Sequence, residues 1–232
     1  MKKIILTIAV ILFVILPANA QNANDAEALG VSLDELEAVT GRIKEKVEEF
    51  QSNLQDMAGR GKVSLDNKNK LREYTLKLFI GEGSSYLVKE DVFDPKGSFM
   101  GVREYKHEAV KMGTINSKYN KKRLYFPMTT YLSNLIKRSE SPKDRYKEIL
   151  IEAADAVRVD GLRKGNSEGE FITTAHIIQR YVGYLHDGIH FYEDYTAKSI
   201  TIYIKRHEIL TPEGYDYYWE IRLGDVDCDD IW

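Results

Sequence analysis

The stretch FITTAHIIQRYVGYLHDGIHFYEDYTAKSITIYIKR, residues 171–206, limits the fold more than any other part of the chain. β-Branched and aromatic residues alternate with polar ones on both sides of one pair, Asp187-Gly188. Alternation sends successive side chains to opposite faces of a strand, and Asp-Gly tolerates the positive φ of a two-residue hairpin turn. The stretch therefore reads as a long antiparallel hairpin. A two-residue turn pairs His186 with Ile189, Leu185 with His190, Gly183 with Tyr192 and Tyr181 with Asp194. A three-residue turn with Gly188 in a bulge pairs Leu185 with Ile189. In either register His186 and His190 point to opposite faces, so they cannot share a metal.

Other segments extend this hairpin into a sheet. KEILIEAADAVRV places Ile149, Ile151, Ala153, Asp155, Val157 and Val159 on one face, and YDYYWEIRLGDV does the same for Tyr217, Trp219, Ile221 and Leu223. A further strand is expected within residues 102–115. Short connections imply antiparallel pairing. GEGSSYLVKEDVFDPKG is expected to be a loop, because its glycines follow a helix and lack the spacing that cradles phosphate.

Helices precede the sheet. Ser32 and Glu35 fit a capping box. Leu33, Leu36, Thr40, Ile43, Val47, Phe50, Leu54 and Met57 then recur at alternating spacings of three and four. Thr40 and Gly41 weaken a free coiled coil, so the helix is expected to lie across its own sheet, with a homodimer through it as the other reading. A second helix is expected over residues 64–80, with Leu71, Leu78 and Phe79 inward and Gly81 as its stop. A short third one is expected in PMTTYLSNLIKR, with Tyr131, Leu132, Leu135 and Ile136 on one face. Together these predict an α+β fold, with N-terminal helices packed on a curved antiparallel β-sheet.

The first twenty residues, MKKIILTIAVILFVILPANA, read as a signal peptide. The apolar run from Ile4 to Leu16 is shorter than the roughly twenty residues a bilayer span needs. Ala18-Asn19-Ala20 offers small side chains for cleavage before Gln21. The expectation is export to the periplasm or beyond, with no permanent membrane span. Residues 21–31 form a linker, 32–61 the long helix and 62–232 the α+β domain, whose first helix falls within 45–61. The net charge of −3 becomes −5 once Lys2 and Lys3 are removed, which gives no basic field for nucleic acid. The single cysteine, Cys228, cannot form an internal disulfide.

Two clusters invite a chemical reading. Asp225, Asp227 and Asp229 have the spacing that opens a calcium loop, but Asp230 stands where glycine is required and no position-12 glutamate follows. They read as the acidic end of a strand, so no metal or cofactor is expected. The hairpin carries Gln179, Tyr181, Tyr192, Asp194, Thr196 and Lys198 on one face. His176, Ile178, Val182, Phe191, Ala197 and Tyr203 make the other face the more apolar. The plainer reading of the first face is solvated polar surface. If it lines a concavity instead, Gln179, Tyr181, Tyr192 and Asp194 are the ligand-binding candidates. The catalytic candidates are then Asp194 or Asp155 as general base and Tyr181 as hydrogen-bond donor. Asp155 interrupts an apolar face unless a bulge turns it outward. No G-x-S-x-G, H-E-x-x-H, C-x-x-C or Walker motif occurs.

Two helices, a short third and then long strands resemble the NTF2-like (cystatin-like cone) architecture over about residues 45–228. FQSNLQDMA, LKLFIGEG, QRYVGYLHDG, YEDYTAKSI and IRLGD also resemble segments of exported Bacteroidetes proteins of unknown function. The resemblance implies a pocket between a curved sheet and its helices, which some members use for catalysis and many for binding. The expectation is a non-catalytic cell-envelope module that binds a partner protein or small ligand. The alternative is a small-molecule hydrolase or isomerase using a pocket carboxylate.

Overall fold

The structure, a computed structural model, describes residues 25–115, 122–141, 143–212 and 214–230. The expected signal peptide and cleavage site lie outside the described residues. Among the described residues no helix is long and apolar enough to cross a membrane.

Helix α1, Leu33–Ala58, opens with the expected capping box: the Glu35 amide donates to Ser32 Oγ at 3.1 Å and the Ser32 amide to Glu35 Oε2 at 2.8 Å. Ile43, Val47, Phe50, Leu54 and Met57 are fully buried within the chain. From Ile43 to Met57 the heptad-like seam is thus spent on the chain's own core, while Leu33, Leu36 and Thr40 are half-buried. Helix α2, Leu65–Leu76, is capped by Ser64 and ends four residues earlier than expected. The chain leaves the helix there to bury Leu78 and Phe79. Leu78 accepts a hydrogen bond from the Leu223 amide at 2.8 Å, and Phe79 meets Phe50 edge-on with centroids 5.1 Å apart. Gly81 and Glu82, at φ 58° and 51°, then reverse the chain in the left-handed region. Helix α3, Met128–Glu140, follows Pro127 as expected and buries Leu132, Leu135 and Ile136.

The segment expected to be a loop is instead half of a separate two-stranded ladder, β1 (Tyr86–Phe93) with β2 (Phe99–His107). Asp94 closes its turn. Its Oδ1 accepts from the amides of Lys96 and Ser98, both at 2.8 Å, while Gly97 takes φ 82°. The hairpin signal lay in Asp-Pro-Lys-Gly, not in the two upstream glycines.

The main sheet has the path β4 (Arg123–Pro127), β3 (Lys111–Ile115), β10 (Gly214–Asp230), β9 (His190–Thr211), β8 (Glu170–Tyr184), β5 (Glu148–Ala153). Two short strands, β6 (Arg158–Val159) and β7 (Arg163–Lys164), also pair with β8. The sheet is open, with β4 and β5 at its ends. It is mixed, not purely antiparallel: β3 runs parallel to β10 where Met112 meets Val226. The fold is α+β.

The central hairpin adopts the three-residue turn. The Leu185 amide donates to the Ile189 carbonyl, Gly188 sits at φ 82°, and an irregularity beside Gly183 restores Gly183 opposite Tyr192 and Tyr181 opposite Asp194. The face assignment needs correction. The helices cover the face of Phe171, Ala175, Ile177, Ile200, Ile202 and Ile204, which continues as Gln179, Tyr192, Asp194 and Lys198. Of the face expected to be the more apolar, His176, Ile178, Ala197 and Tyr203 are only half-buried and Val182 is buried; the Phe191 side chain lies outside what the structure describes. Ser-Ile-Thr-Ile-Tyr-Ile, residues 199–204, decides this, since its three isoleucines share a face with Lys198 and Asp194.

Candidate functional site

The inner face of the sheet changes chemistry along its length. It is aliphatic under α1 and polar where α3 crosses the β8–β9 end. Gln179 and Tyr181 stand opposite Thr196 and Asp194 in the β8–β9 register. With Lys198 they form the floor of a cleft of about 520 Å³, within the range of small-molecule sites. Tyr131, Asn134 and Arg138 of α3, Phe126 of β4 and Tyr146 ahead of β5 form its walls. The solvated-surface reading of this face fails, because Gln179 and Lys198 are 6% and 4% exposed and Asp194 is 9% exposed.

Two glycines shape the cleft. A Cβ on Gly183 would lie 2.7 Å from the Tyr146 ring, so its absence lets that ring lie against the strand. A Cβ on Gly113 would lie 2.9 Å from the Val226 carbonyl oxygen. The bare backbone brings β3 close to β10, and the Gly113 carbonyl accepts from Lys198 Nζ at 2.7 Å.

Asp194 is held on both oxygens. Tyr192 Oη donates to Oδ2 at 2.6 Å and the Tyr195 amide donates to Oδ1 at 3.0 Å. Burial, and then the Asp194 carboxylate, push the Tyr192 hydroxyl pKa well above its usual value. Burial pushes Tyr181 up to about 12, against the pull of Arg138, and raises Tyr131 further. All three phenols therefore stay protonated across the physiological range. The rings of Tyr181 and Tyr192 meet edge to face, with centroids 5.8 Å apart. Arg138 donates to Asp144 at 3.1 Å. Burial pulls the Lys198 ammonium down to about 8.

Gln179, Tyr181, Tyr192 and Asp194 thus share one cleft. Asp155 does not join them. β5 ends at Ala153, and Asp155 is exposed on the following bend, accepting the Ala156 amide at 2.8 Å. Tyr131, Tyr146, Arg138 and the reach of Lys198 are additions from the structure. Only Tyr131 left a signal, as a hydroxyl-bearing ring on the apolar stripe of its helix.

The other polar clusters resolve as structure. Asp225 accepts the Lys111 amide at 2.8 Å, Asp227 accepts Tyr125 Oη at 2.7 Å, and Asp229 pairs with Arg123. Alternation along β10 aims these three carboxylates at β3 and β4 while Cys228 stays buried. His186 is exposed, with Nε2 3.2 Å from the Asp144 carbonyl oxygen. Among the described residues no group of three or more histidine, cysteine, aspartate or glutamate side chains could hold a metal ion.

No family model matches the chain, and no curated protein matches it. Among solved structures, the crystal structure of Kfla4162 protein from Kribbella flavida is similar over 84% of this chain and 93% of that one. The sequence identity is 12% and the TM-score 0.29, a likeness that carries no argument about function.

Proposed function

We propose that this chain is an exported, NTF2-like binding module whose cleft takes a small ring-bearing polar ligand. One observation carries the reading: the polar end of the inner face opens into a cleft of about 520 Å³ lined by Tyr131, Tyr146, Tyr181 and Tyr192, with Gln179 and Asp194 buried in its floor. Aromatic walls offer faces to a ring. Gln179, Asn134 and the protonated phenols supply convergent donors and acceptors for its substituents. Export rests on the Ala18-Asn19-Ala20 site after a short apolar run.

The hydrolase or isomerase alternative has one feature in its favour, a buried carboxylate facing a cavity. Its weakness is the hydrogen bonding of that carboxylate. Both oxygens of Asp194 already accept, so taking a substrate proton would have to displace Tyr192 Oη or the Tyr195 amide. Asp194 serves better as the group that fixes the Tyr192 hydroxyl.

A thermal-shift and ligand-observed NMR screen of monosaccharides, phenols and aromatic acids tests the reading. Binding that is lost in Tyr131→Ala and Tyr181→Ala, with their melts still cooperative, is the expected result. Hits that persist in both variants would place the ligand elsewhere and end the proposal.

A further inference from the structure

Lys198 is the cleft residue whose position the binding reading leaves unexplained. It is 4% exposed, yet it lines the cleft. Among the described residues its hydrogen-bond acceptor is a neutral one, the Gly113 carbonyl, at 2.7 Å. Among the described residues no carboxylate lies within ion-pair distance of Nζ. The neighbour directly opposite it on β10 is Cys228, whose own burial raises the thiol pKa and keeps it neutral. A buried ammonium without a counter-ion is costly, and solvent-exposed positions for a lysine are abundant on any sheet. The arrangement instead suits a neutral amine, one N–H anchored on a carbonyl and the nitrogen lone pair available to a ligand.

We propose that Lys198 is an amine nucleophile that captures an aldehyde or ketone group of the cleft's ligand as an imine. The proposal rests on the cleft being a ligand site. The Nζ lone pair attacks the carbonyl carbon, and the C=O π pair moves to oxygen. Proton transfer from nitrogen to oxygen gives a carbinolamine. Loss of water then forms the C=N bond, with both protons of the neutral amine leaving on the former carbonyl oxygen. No oxidant or reductant is consumed.

The groups around Nζ favour this step. Desolvation lowers the proton affinity of Lys198, so a large fraction is neutral near pH 8, whereas Asp227 and any Cys228 thiolate pull the other way. On the cleft side, Asp194 is occupied by Tyr192 and the Tyr195 amide. Arg138 is engaged by Asp144, and Lys137 on the same helix also lines the cleft.

The test uses the whole chain, p-hydroxybenzaldehyde as the probe, and sodium cyanoborohydride to reduce any imine, followed by peptide mapping. The expected result is one dominant adduct, on Lys198, formed about tenfold or more faster than on surface lysines and gaining rate through about pH 8. Lys198→Met abolishes that adduct. If this variant does not fold, the wild-type peptide map decides alone. Adducts scattered over surface lysines with Lys198 unmodified overturn the proposal. The matched alcohol, p-hydroxybenzyl alcohol, separates the two readings. Alcohol binding without aldehyde labelling of Lys198 keeps the cleft as a site and removes the imine. Labelling without alcohol binding supports the imine and removes non-covalent ring recognition. Neither result removes both.

Discussion

Gln179 Nε2 on strand β8 donates to Gln51 Oε1 on helix α1 at 2.8 Å, with both side chains buried. This bond sits where the aliphatic half of the inner face gives way to the polar half. It pins the long helix to the floor of the cleft. The Gln51 amide nitrogen is itself buried without a partner among the described residues.

A double-mutant cycle on this pair should be strongly non-additive. Gln51→Leu leaves the Gln179 amide buried and unpaired, which costs about 1–3 kcal/mol. Gln179→Leu leaves Gln51 in the same position. The double substitution removes every orphaned polar atom, so its stability should return to within about 1 kcal/mol of the wild type. Urea unfolding of the four proteins measures this, and simple additivity would mean that the bond does not hold the helix.

The sequence made much of this arrangement legible. Spacing along residues 33–57 located α1, and Thr40 and Gly41 on or beside its seam favoured the chain's own sheet over a coiled-coil partner. Asp187-Gly188 placed the hairpin, and the Tyr181–Asp194 pairing is the same in the structure. The buried face of that hairpin was not legible, because Gln179, Asp194 and Lys198 outweighed the isoleucines further along the strand when polarity alone was judged. A face that is core at one end and cleft at the other defeats any reading that averages over its length. Asp155 leaves the face for a local reason: strand β5 stops at Ala153, whereas the alternation in sequence runs on to Val159.

Asp194 and Tyr192 give a paired prediction. Asp194→Ala removes the acceptor of a buried hydroxyl and of the Tyr195 amide, and should cost about 1–3 kcal/mol in thermal or urea melts. Asp194→Asn removes the charge that helps raise Tyr192, so that phenol should ionise at lower pH. Difference absorbance of the phenolate across an alkaline titration reads this directly. An unchanged profile would contradict the Tyr192–Asp194 contact.

Gly183→Ala should disturb the cleft more than the sheet. The new methyl would meet the Tyr146 ring at 2.7 Å, and that ring can swing where a backbone cannot. Stability should fall by about 1–3 kcal/mol, the usual range for overpacking, while any ligand found for the cleft loses affinity through the displaced ring. Full retention of affinity would place Tyr146 outside the binding surface.

EDTA should leave the melting temperature unchanged. Asp225, Asp227 and Asp229 already hold the Lys111 amide, Tyr125 and Arg123. A ligand that binds only the folded state raises its stability, so a fall of several degrees on chelation would reveal a metal these contacts do not need.

Lys198 makes a pH-dependent prediction whose sign follows from its depressed pKa. Unfolded, the amine titrates near 10.5; folded, it titrates at about 8. Between those values the unfolded chain binds the extra proton, so this group makes stability rise with pH. Below about pH 8 both states are protonated and the full cost of burying the charge applies, on the order of 3 kcal/mol. Lys198→Met removes that cost but also the bond to the Gly113 carbonyl, worth about 1 kcal/mol. The variant should therefore be more stable than the wild type by about 2 kcal/mol at pH 7. Its advantage should shrink as pH approaches 10.5. The tyrosines raised by burial act in the opposite direction, losing stability above pH 10, but they do so equally in both proteins and cancel from the comparison. Urea unfolding of the two proteins at pH 7 and pH 10 measures the difference. A variant less stable at pH 7, or an advantage that grows with pH, would mean that Lys198 is not a desolvated amine in the folded chain.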